Sequence, residues 1–393
     1  MWQKATRWKR LLAFATCAPI DWLLGLIFLV SELAFRFVRR LRPLPVPSFT
    51  TPAPECSFVV VSWNGKDLLS ESLPALVEAV RSHGGNHEII VVDNGSVDQT
   101  VEYIQSQFPE VRLVKSQVNC FFSGGNSLGV QAATRDILVL LNNDMVVSRD
   151  FIAPLLEPFA DADVFGVGSR IVLPPDRAQE ETGKTRIRFN GYDFDWRHDA
   201  VTSTDKRKRF VPVLWLHGGA AAMDRRKYLW LGGLDQLYDP FYVEDADLSY
   251  RAWKVGWRCL LAVESQALHR HRASTSRFGE DFIRKTVLRN HYIFLWKNVT
   301  DLRLLAMHFG RCARMKARRA GIVGVGVRRQ LEAWLEAVKR VPAILGRRYR
   351  LGRHKLRSDK EILATIASSD CDPEWPPGNA SPRPRVGSET LVS

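Results

Sequence analysis

Four short aliphatic runs decide what this chain can fold into. Phe58–Ser62 (FVVVS), Glu88–Val92 (EIIVV), Val111–Lys115 (VRLVK) and Ile137–Leu141 (ILVLL) come at spacings that leave room for a helix between each pair. The first has no polar alternation, as in strands buried on both faces of an α/β sheet. A helical stretch follows it from Asp67 and is expected to restart at Pro74, which suits a first helical turn. Ser96 with Gln99 reads as a capping box for the next helix, and Asn119–Asn126 (NCFFSGGN) opens a third. Strand and helix alternate four times. This predicts an α/β fold with a mostly parallel sheet, flanked by helices, that takes ligands at the carboxyl ends of its strands.

Polar residues crowd those ends. Asn64 follows the first strand, Asp93 the second, and Asn142, Asn143 and Asp144 the fourth. Each alone is ordinary turn chemistry. Together they mark a nucleotide site, with Ser62 beside Asn64. The Gly124–Gly125 pair with Asn126 offers close backbone approach and a helix N-terminus to a diphosphate. Neither a G-x-G-x-x-G after the first strand nor a P-loop is present.

The second feature is Asp239–Trp257 (DPFYVEDADLSYRAWKVGW). Glu244, Asp245 and Asp247 fall within four residues, after an aromatic run, Phe241–Val243, that reads as strand. Leu248, Ala252 and Val255 then recur at helical spacing, so a helix is expected to start at the acids. Carboxylates in a first turn complement the helix dipole. Three of them at a strand-to-helix junction also suit a general base at the lip of a cleft. Between the two features, Val164–Val172 and Val213–His217 read as strands, and residues 174–212 show no core pattern. Trp215 reads as a stacking platform or a core residue.

The ordered set VVVSWNG, VVDNGSVDQT, NCFFSGGNSLGV, ILVLLNND and HGGAAAMDRR…LGGLDQLYDPFYVEDADLSYR resembles family 2 glycosyltransferases, nearest the rhamnosyl- and galactofuranosyl-transferase branch. The resemblance covers roughly residues 56–300. It implies a GT-A fold, a nucleoside-diphosphate sugar donor, Mg²⁺ or Mn²⁺, and inversion at the anomeric carbon. Carried over, Asp93 binds the donor base or ribose, and Asn142–Asp144 takes the place of the metal-binding DXD motif. Asp144 is the metal ligand, and Asn142 stands where a second carboxylate would hold the cation more firmly. Asp245 is the general base, with Glu244 as the alternative, and Asp247 supports the helix start or Arg251. Gly219–Ala221 is the small-residue step beside the acceptor. A histidine completes the metal site, His269 by register or His271, and Arg270 and Arg272 face the diphosphate. The Q-x-x-R-W signature of processive members is missing, so a single transfer is expected. Nucleotidyl transfer to a sugar phosphate, and a non-catalytic sugar-nucleotide scaffold, are the alternatives.

Charge divides the chain. Residues 1–50 carry a net +6 and residues 301–357 a net +13 of the total +14, leaving the middle at −5. Basic ends around a mildly acidic middle suit an anionic membrane surface, and no nucleic-acid recognition motif accompanies them. The six cysteines are scattered with no metal or disulfide spacing, which fits a reducing compartment. Leu11–Phe35 is apolar but interrupted by Pro19, Asp21 and Glu32, with no cleavage site for a signal peptide. It reads as two short interfacial helices, Leu11–Ala18 and Trp22–Phe37, or as one spanning anchor. The expected organisation is a membrane-associating segment (1–50), a GT-A catalytic domain (51–300), a basic amphipathic helical region (301–369) and a disordered tail (370–393). The expected partners are a polyprenyl-linked or glycan acceptor and the cytoplasmic face of a bacterial inner membrane.

Overall fold

The computed structural model describes residues 2–175, 181–270, 278–320, 324–354 and 356–368. The described residues form two compact units. The first holds the residues up to Pro47, Ile187–Trp196 and Phe278–Leu363. The second holds Ser48–Arg186, the residues from Arg197 to 270, and those from Ala364. His271, Arg272 and the tail from residue 370 lie outside the described residues.

The second unit is built on one nine-stranded sheet. Strands β1 (Cys56–Ser62), β2 (Glu88–Asn94), β3 (Arg112–Ser116) and β4 (Ile137–Asn142) alternate with helices α2 (Lys66–His83), α3 (Thr100–Gln107) and α4 (Phe121–Ala132). They pair in parallel in the order β3-β2-β1-β4, as the aliphatic runs predict. Strands β5 (Met145–Val147), β6 (Val164–Val172), β7 (Thr185–Phe189), β8 (Phe194–His198), β9 (Phe210–Pro212), β10 (Ala220–Asp224) and β11 (Arg258–His269) follow. Of these, β10 adds antiparallel to β4, then β6, β11 and β5 complete the row, with β9 on β11; β7 and β8 form a separate two-stranded sheet. Short helices α5 (Ile152–Leu156), α6 (Ser203–Lys208) and α7 (Arg225–Leu231) lead to α8 (Glu244–Lys254). Side chains from β1, β4, β5, β6 and β10 share one core with Leu69, Leu73 and Leu76 of α2 and Phe151 and Leu155 beside β5.

Several local expectations are corrected. Helix α2 runs unbroken through Pro74. The Ser96 hydroxyl does not cap α3. It accepts from the Asn64 amide instead (2.8 Å), and α3 starts at Thr100. Val213–His217 is not strand, and β10 begins at Ala220. Phe241–Val243 is not strand either. Tyr242 and Val243 take left-handed backbone angles (φ 72° and 78°) that turn the chain directly into α8.

The first unit is helical. Helix α1 (Trp2–Leu41) is continuous, so the two-helix expectation fails. Asp21 and Glu32, read as breaks, face inward, and each has a partner there through one carboxylate oxygen. Asp21 Oδ1 accepts from Trp334 Nε1 (3.0 Å), and Glu32 Oε2 pairs with Arg348 (2.8 Å). Helices α9 (Glu280–Asn298), α10 (Leu302–Ala320), α11 (Gly324–Lys339), α12 (Val341–Gly352) and α13 (Asp359–Ser368) complete the chain. Phe28 of α1 packs against Trp296 of α9 and stacks on Phe309 of α10. The helix expected to close the catalytic domain at residue 300 therefore packs with α1 and α10. Phe294 and Trp296 are fully buried apolar anchors with no tie to the sheet's periodicity.

Candidate active site

The site is built at the carboxyl edge of the parallel strands and continues across β5, β10 and α8. On the first side the polar tips mostly bind one another. Ser62 pairs in register with Asp93. The Asn143 amide donates to Ser62 Oγ (3.0 Å), and its backbone carbonyl accepts from Ser72 (2.7 Å). Asn64 Oδ1 accepts from the Val97 amide (2.8 Å), and Asp93 Oδ1 accepts from the Ser96 amide (3.3 Å). Asn142 lies beside the 218–219 turn, its amide donating to the Gly219 carbonyl (2.9 Å).

Gly124 and Gly125 fall inside α4, where both are buried. A Cβ on Gly125 would come within 2.6 Å of Val61 Cγ1, and one on Gly129 within 2.3 Å of Val59 Cγ1. These glycines bring α4 onto β1. Asn126 is turned back to the Phe122 carbonyl (2.9 Å). The space beside Gly125 is filled by Val61 of β1, and a Cβ on Gly124 would meet Cys120. The small-residue step behaves alike: Ala220 and Ala221 are buried in β10, and Gly219 abuts Asn142 and Met145. Trp215 is a core residue, edge-on to His198.

The second side is different. Antiparallel pairing of β5 with β11 sets His269 opposite Met145, and so beside Asp144. His269 Nε2 lies 3.3 Å from Asp144 Oδ2, and its Nδ1 lies 2.9 Å from Glu181 Oε2. Burial alone would lower the His269 pKa, but the carboxylates of Asp144 and Glu181 on its two sides raise it to about 9. Glu181 also approaches His217 Nε2 at 3.8 Å. His217 Nδ1 accepts from the Gly219 amide (3.2 Å), and the neighbouring Gly218 amide donates to Asp245 Oδ2 (3.0 Å). A chain of close contacts thus runs Asp144, His269, Glu181, His217, Gly218, Asp245. Arg270 pairs with Glu71 at 3.3 Å on the surface.

Helix α8 begins at Glu244, and Val243 supplies no side-chain cap. Its left-handed angle is costly for a β-branched residue and belongs with strain concentrated at functional sites. Glu244 is buried, and burial together with the Asp245 charge pushes its pKa well above the ordinary carboxylate range. Asp245 is half-buried. Burial raises its pKa, while His217 and the Gly218 and Ala246 amides hold it down. Burial and its neighbour's charge thus favour the protonated form of Glu244, while the contacts made by Asp245 favour its charged form. Asp247 does pair with Arg251 (2.8 Å) and also accepts from the Tyr238 hydroxyl (2.8 Å).

Two carboxylate oxygens here are buried with no hydrogen-bond partner, Asp144 Oδ1 and Glu244 Oε2. The first fits a cation: an oxygen ligand with His269 Nε2 alongside suits Mn²⁺ or Mg²⁺. Among the described residues no three His, Cys, Asp or Glu side chains converge into a metal cage. The sequence reading missed Glu181 and His217. Glu181 lies in the segment without periodicity. His217 precedes Gly218–Gly219 and a strand of alanines, the one local signal that could have singled it out.

Known proteins resemble this chain in sequence and in fold. Residues 57–230 match the model for "Glycosyl transferase family 2". Over those residues the chain carries the likeness of that family. It is 25% identical over 210 residues to N-acetylglucosaminyl-diphospho-decaprenol L-rhamnosyltransferase of Mycobacterium tuberculosis, covering 48% of this chain and 68% of that one. It is 26% identical over 263 residues to polypeptide N-acetylgalactosaminyltransferase 11 of Xenopus tropicalis, covering 62% of this chain but 43% of the relative's length. The crystal structure of GalNAc-T7 with UDP, GalNAc and Mn²⁺ superposes with a TM-score of 0.55 at 18% identity, over 80% of this chain and 56% of that one. The fold is GT-A.

Proposed function

We propose that the protein transfers one sugar, of rhamnose or galactose type, from a nucleoside-diphosphate donor to a lipid-linked or polysaccharide acceptor, with inversion, in cell-envelope glycan synthesis. The observation that carries this reading is the ionised, half-exposed Asp245 joined through Gly218, His217 and Glu181 to the Asp144–His269 pair.

Asp245 takes the proton from the acceptor hydroxyl as that oxygen attacks the anomeric carbon. Attack and departure on opposite faces need one base and no covalent nucleophile. The Gly218 amide holds Asp245 Oδ2 in place. Protonated Glu244, its Oε2 without a partner, is able to donate to the sugar or acceptor. Asp144 and His269 would hold Mg²⁺ or Mn²⁺, which when bound neutralises charge on the departing nucleotide. Glu181, at His269 Nδ1, fixes the ring with Nε2 beside Asp144, where Nε2 would give up its proton to ligate the cation. Asp93 and Asn64, at the ends of β2 and β1, take the nucleoside, with Ser62 and Asn143 bracing them. The mycobacterial relative's name specifies a decaprenol-diphosphate acceptor. Together with the basic ends of the chain, this supports a polyprenyl-linked acceptor at the cytoplasmic face of a bacterial membrane.

The test is nucleoside diphosphate release from UDP-, dTDP- and GDP-sugars, with Mg²⁺ or Mn²⁺ and with or without membrane lipid extract. Release from one donor that depends on the extract is expected. Pyrophosphate release from a sugar phosphate and a nucleoside triphosphate would replace the reading with nucleotidyl transfer. Donor binding without turnover in the presence of extract would replace it with a scaffold.

A further inference from the structure

From Cys17 to Leu41, helix α1 is amphipathic in the reverse sense to a helix on a water-facing surface. Its polar side chains Asp21, Glu32 and Arg39 point into the protein, where they meet Trp334, Arg348 and the Gly352 carbonyl. Its outward stripe is aliphatic and aromatic: Leu23 58%, Leu26 60%, Val30 55%, Leu33 54% and Phe37 63% exposed. No residue classed as exposed between Pro19 and Val38 is charged. A contiguous apolar face of this kind marks contact with a membrane or a partner.

Length alone allows a crossing. Cys17–Leu41 is long and apolar enough to span a membrane. The surroundings of α1 argue otherwise. Gly25 lets α10 approach so closely that a Cβ there would lie 2.9 Å from Phe309 Cβ, and Phe35 meets Tyr349 of α12. Helix α10 carries exposed Arg303, Arg311 and Arg314, and α12 carries exposed Arg350. A spanning α1 would either draw these arginines into hydrocarbon or leave Asp21 and Glu32 there without Trp334 and Arg348. Both are strongly unfavourable.

We infer that α1 lies in the plane of an anionic membrane surface. Its Leu23–Phe37 stripe is sunk to the boundary of headgroups and acyl chains, and the arginines of the same helical unit, with Arg40 and Arg42 at the end of α1, lie at the phosphate level. This deepens the membrane part of the proposed function and turns the N-terminal segment from an anchor that crosses into one that floats. An in-plane helix keeps the whole chain on one side, where a nucleotide sugar is soluble and a polyprenyl diphosphate presents its headgroup.

The test uses the full chain with Cys120 and Cys371 replaced by Ser. A single cysteine is placed at Ile20, Val30 or Leu41 and labelled with the fluorophore NBD. On phosphatidylglycerol/phosphatidylcholine vesicles all three labels should brighten and shift to the blue. All three should also be bleached by dithionite added outside. Leu26→Glu/Leu33→Glu should lower vesicle partitioning on the order of tenfold or more while leaving the melting temperature and donor binding in place. One end protected from dithionite, with Val30 the deepest label, would overturn the inference in favour of a spanning helix. No response to lipid, with a dimer by light scattering that the double variant dissolves, would assign the stripe to a second copy. Equal binding to phosphatidylcholine alone would overturn the role of the arginines. None of these readouts passes through sugar transfer, so this inference and the glycosyltransferase reading fail separately.

Discussion

The two sides of the candidate site use similar residues to opposite ends. On the β1–β4 side, Asn64, Asp93 and Asn143 spend hydrogen bonds on Val97, Ser96 and Ser62. On the β5–α8 side, Asp144 Oδ1 and Glu244 Oε2 are buried with no hydrogen-bond partner, next to a histidine that two carboxylates hold charged. A buried polar atom with its partner is structure, and one without is a cost that a native fold keeps for a reason. The comparison separates a brace that shapes the cleft from a set of groups waiting for ligand.

The largest effect that could break this distinction is at the base. Asp245→Asn should cut kcat by about 10²–10⁴-fold and leave donor affinity unchanged in calorimetry. Glu244→Gln should keep most activity, because its parent is already neutral; loss equal to Asp245→Asn would exchange the two roles. The same variant tests the pKa directions. A carboxyl whose folded pKa is raised above its ordinary 4.5 favours the native state while protonated, and that stability is lost as pH climbs toward the raised value. Glu244→Gln should therefore melt higher than wild type at neutral pH and match it near pH 4. The acid limb of the transfer rate should lie above the ordinary aspartate range, since Asp245 is raised.

Next come the cation groups. Asp144→Asn should abolish Mn²⁺ binding measured by electron paramagnetic resonance in the presence of nucleoside diphosphate. Glu181→Gln should weaken it by about 10–100-fold, the range for a partner behind a ligating histidine, with kcat at saturating Mn²⁺ mostly restored. Unchanged Mn²⁺ affinity in Glu181→Gln would remove Glu181 from the site.

How much of this was readable in the sequence follows the same division. The four parallel strands are legible within one or two residues; for β1, β2 and β4 the reason is that a strand buried on both faces has to be a continuous aliphatic run, while β3 is an edge strand with Arg112 and Lys115 exposed. Asp144, Asp245 and His269 are legible as types at strand ends and a helix start, and the pairing of β5 with β11 brings the first and last together. Glu181 is not legible, since the histidine it pairs with lies 88 residues away and His217 is remote in sequence as well. Gly124 and Gly125 were read as space for phosphate, whereas Val61, from a strand remote in sequence, fills the space beside Gly125. Residue type tells that a close approach occurs there, and only the fold tells what approaches. Likewise Asp21 and Glu32 looked like interruptions of an apolar helix until their partners, more than 300 residues on, made them its inner face.

The smallest effect sharpens the brace side. Asn143→Ala removes the donor to Ser62 Oγ and should cost about 1 kcal/mol of stability, the typical net worth of one such bond. It opens space next to Gly65, whose Cβ position already lies 2.4 Å from the Asn143 amide nitrogen. The loop after β1 should then loosen, and with it the register between Asn64 and Ser96. Because Asn143 holds the loop and touches no reacting atom in this reading, KM for the donor should rise only a few-fold with kcat nearly constant. A fall in kcat comparable to Asp144→Asn would move Asn143 to the ligand-binding side and erase the contrast between the two edges. A lower melting temperature with kcat kept would leave Ser62 and Asn143 as the frame that holds Asn64 and Asp93 at the strand ends.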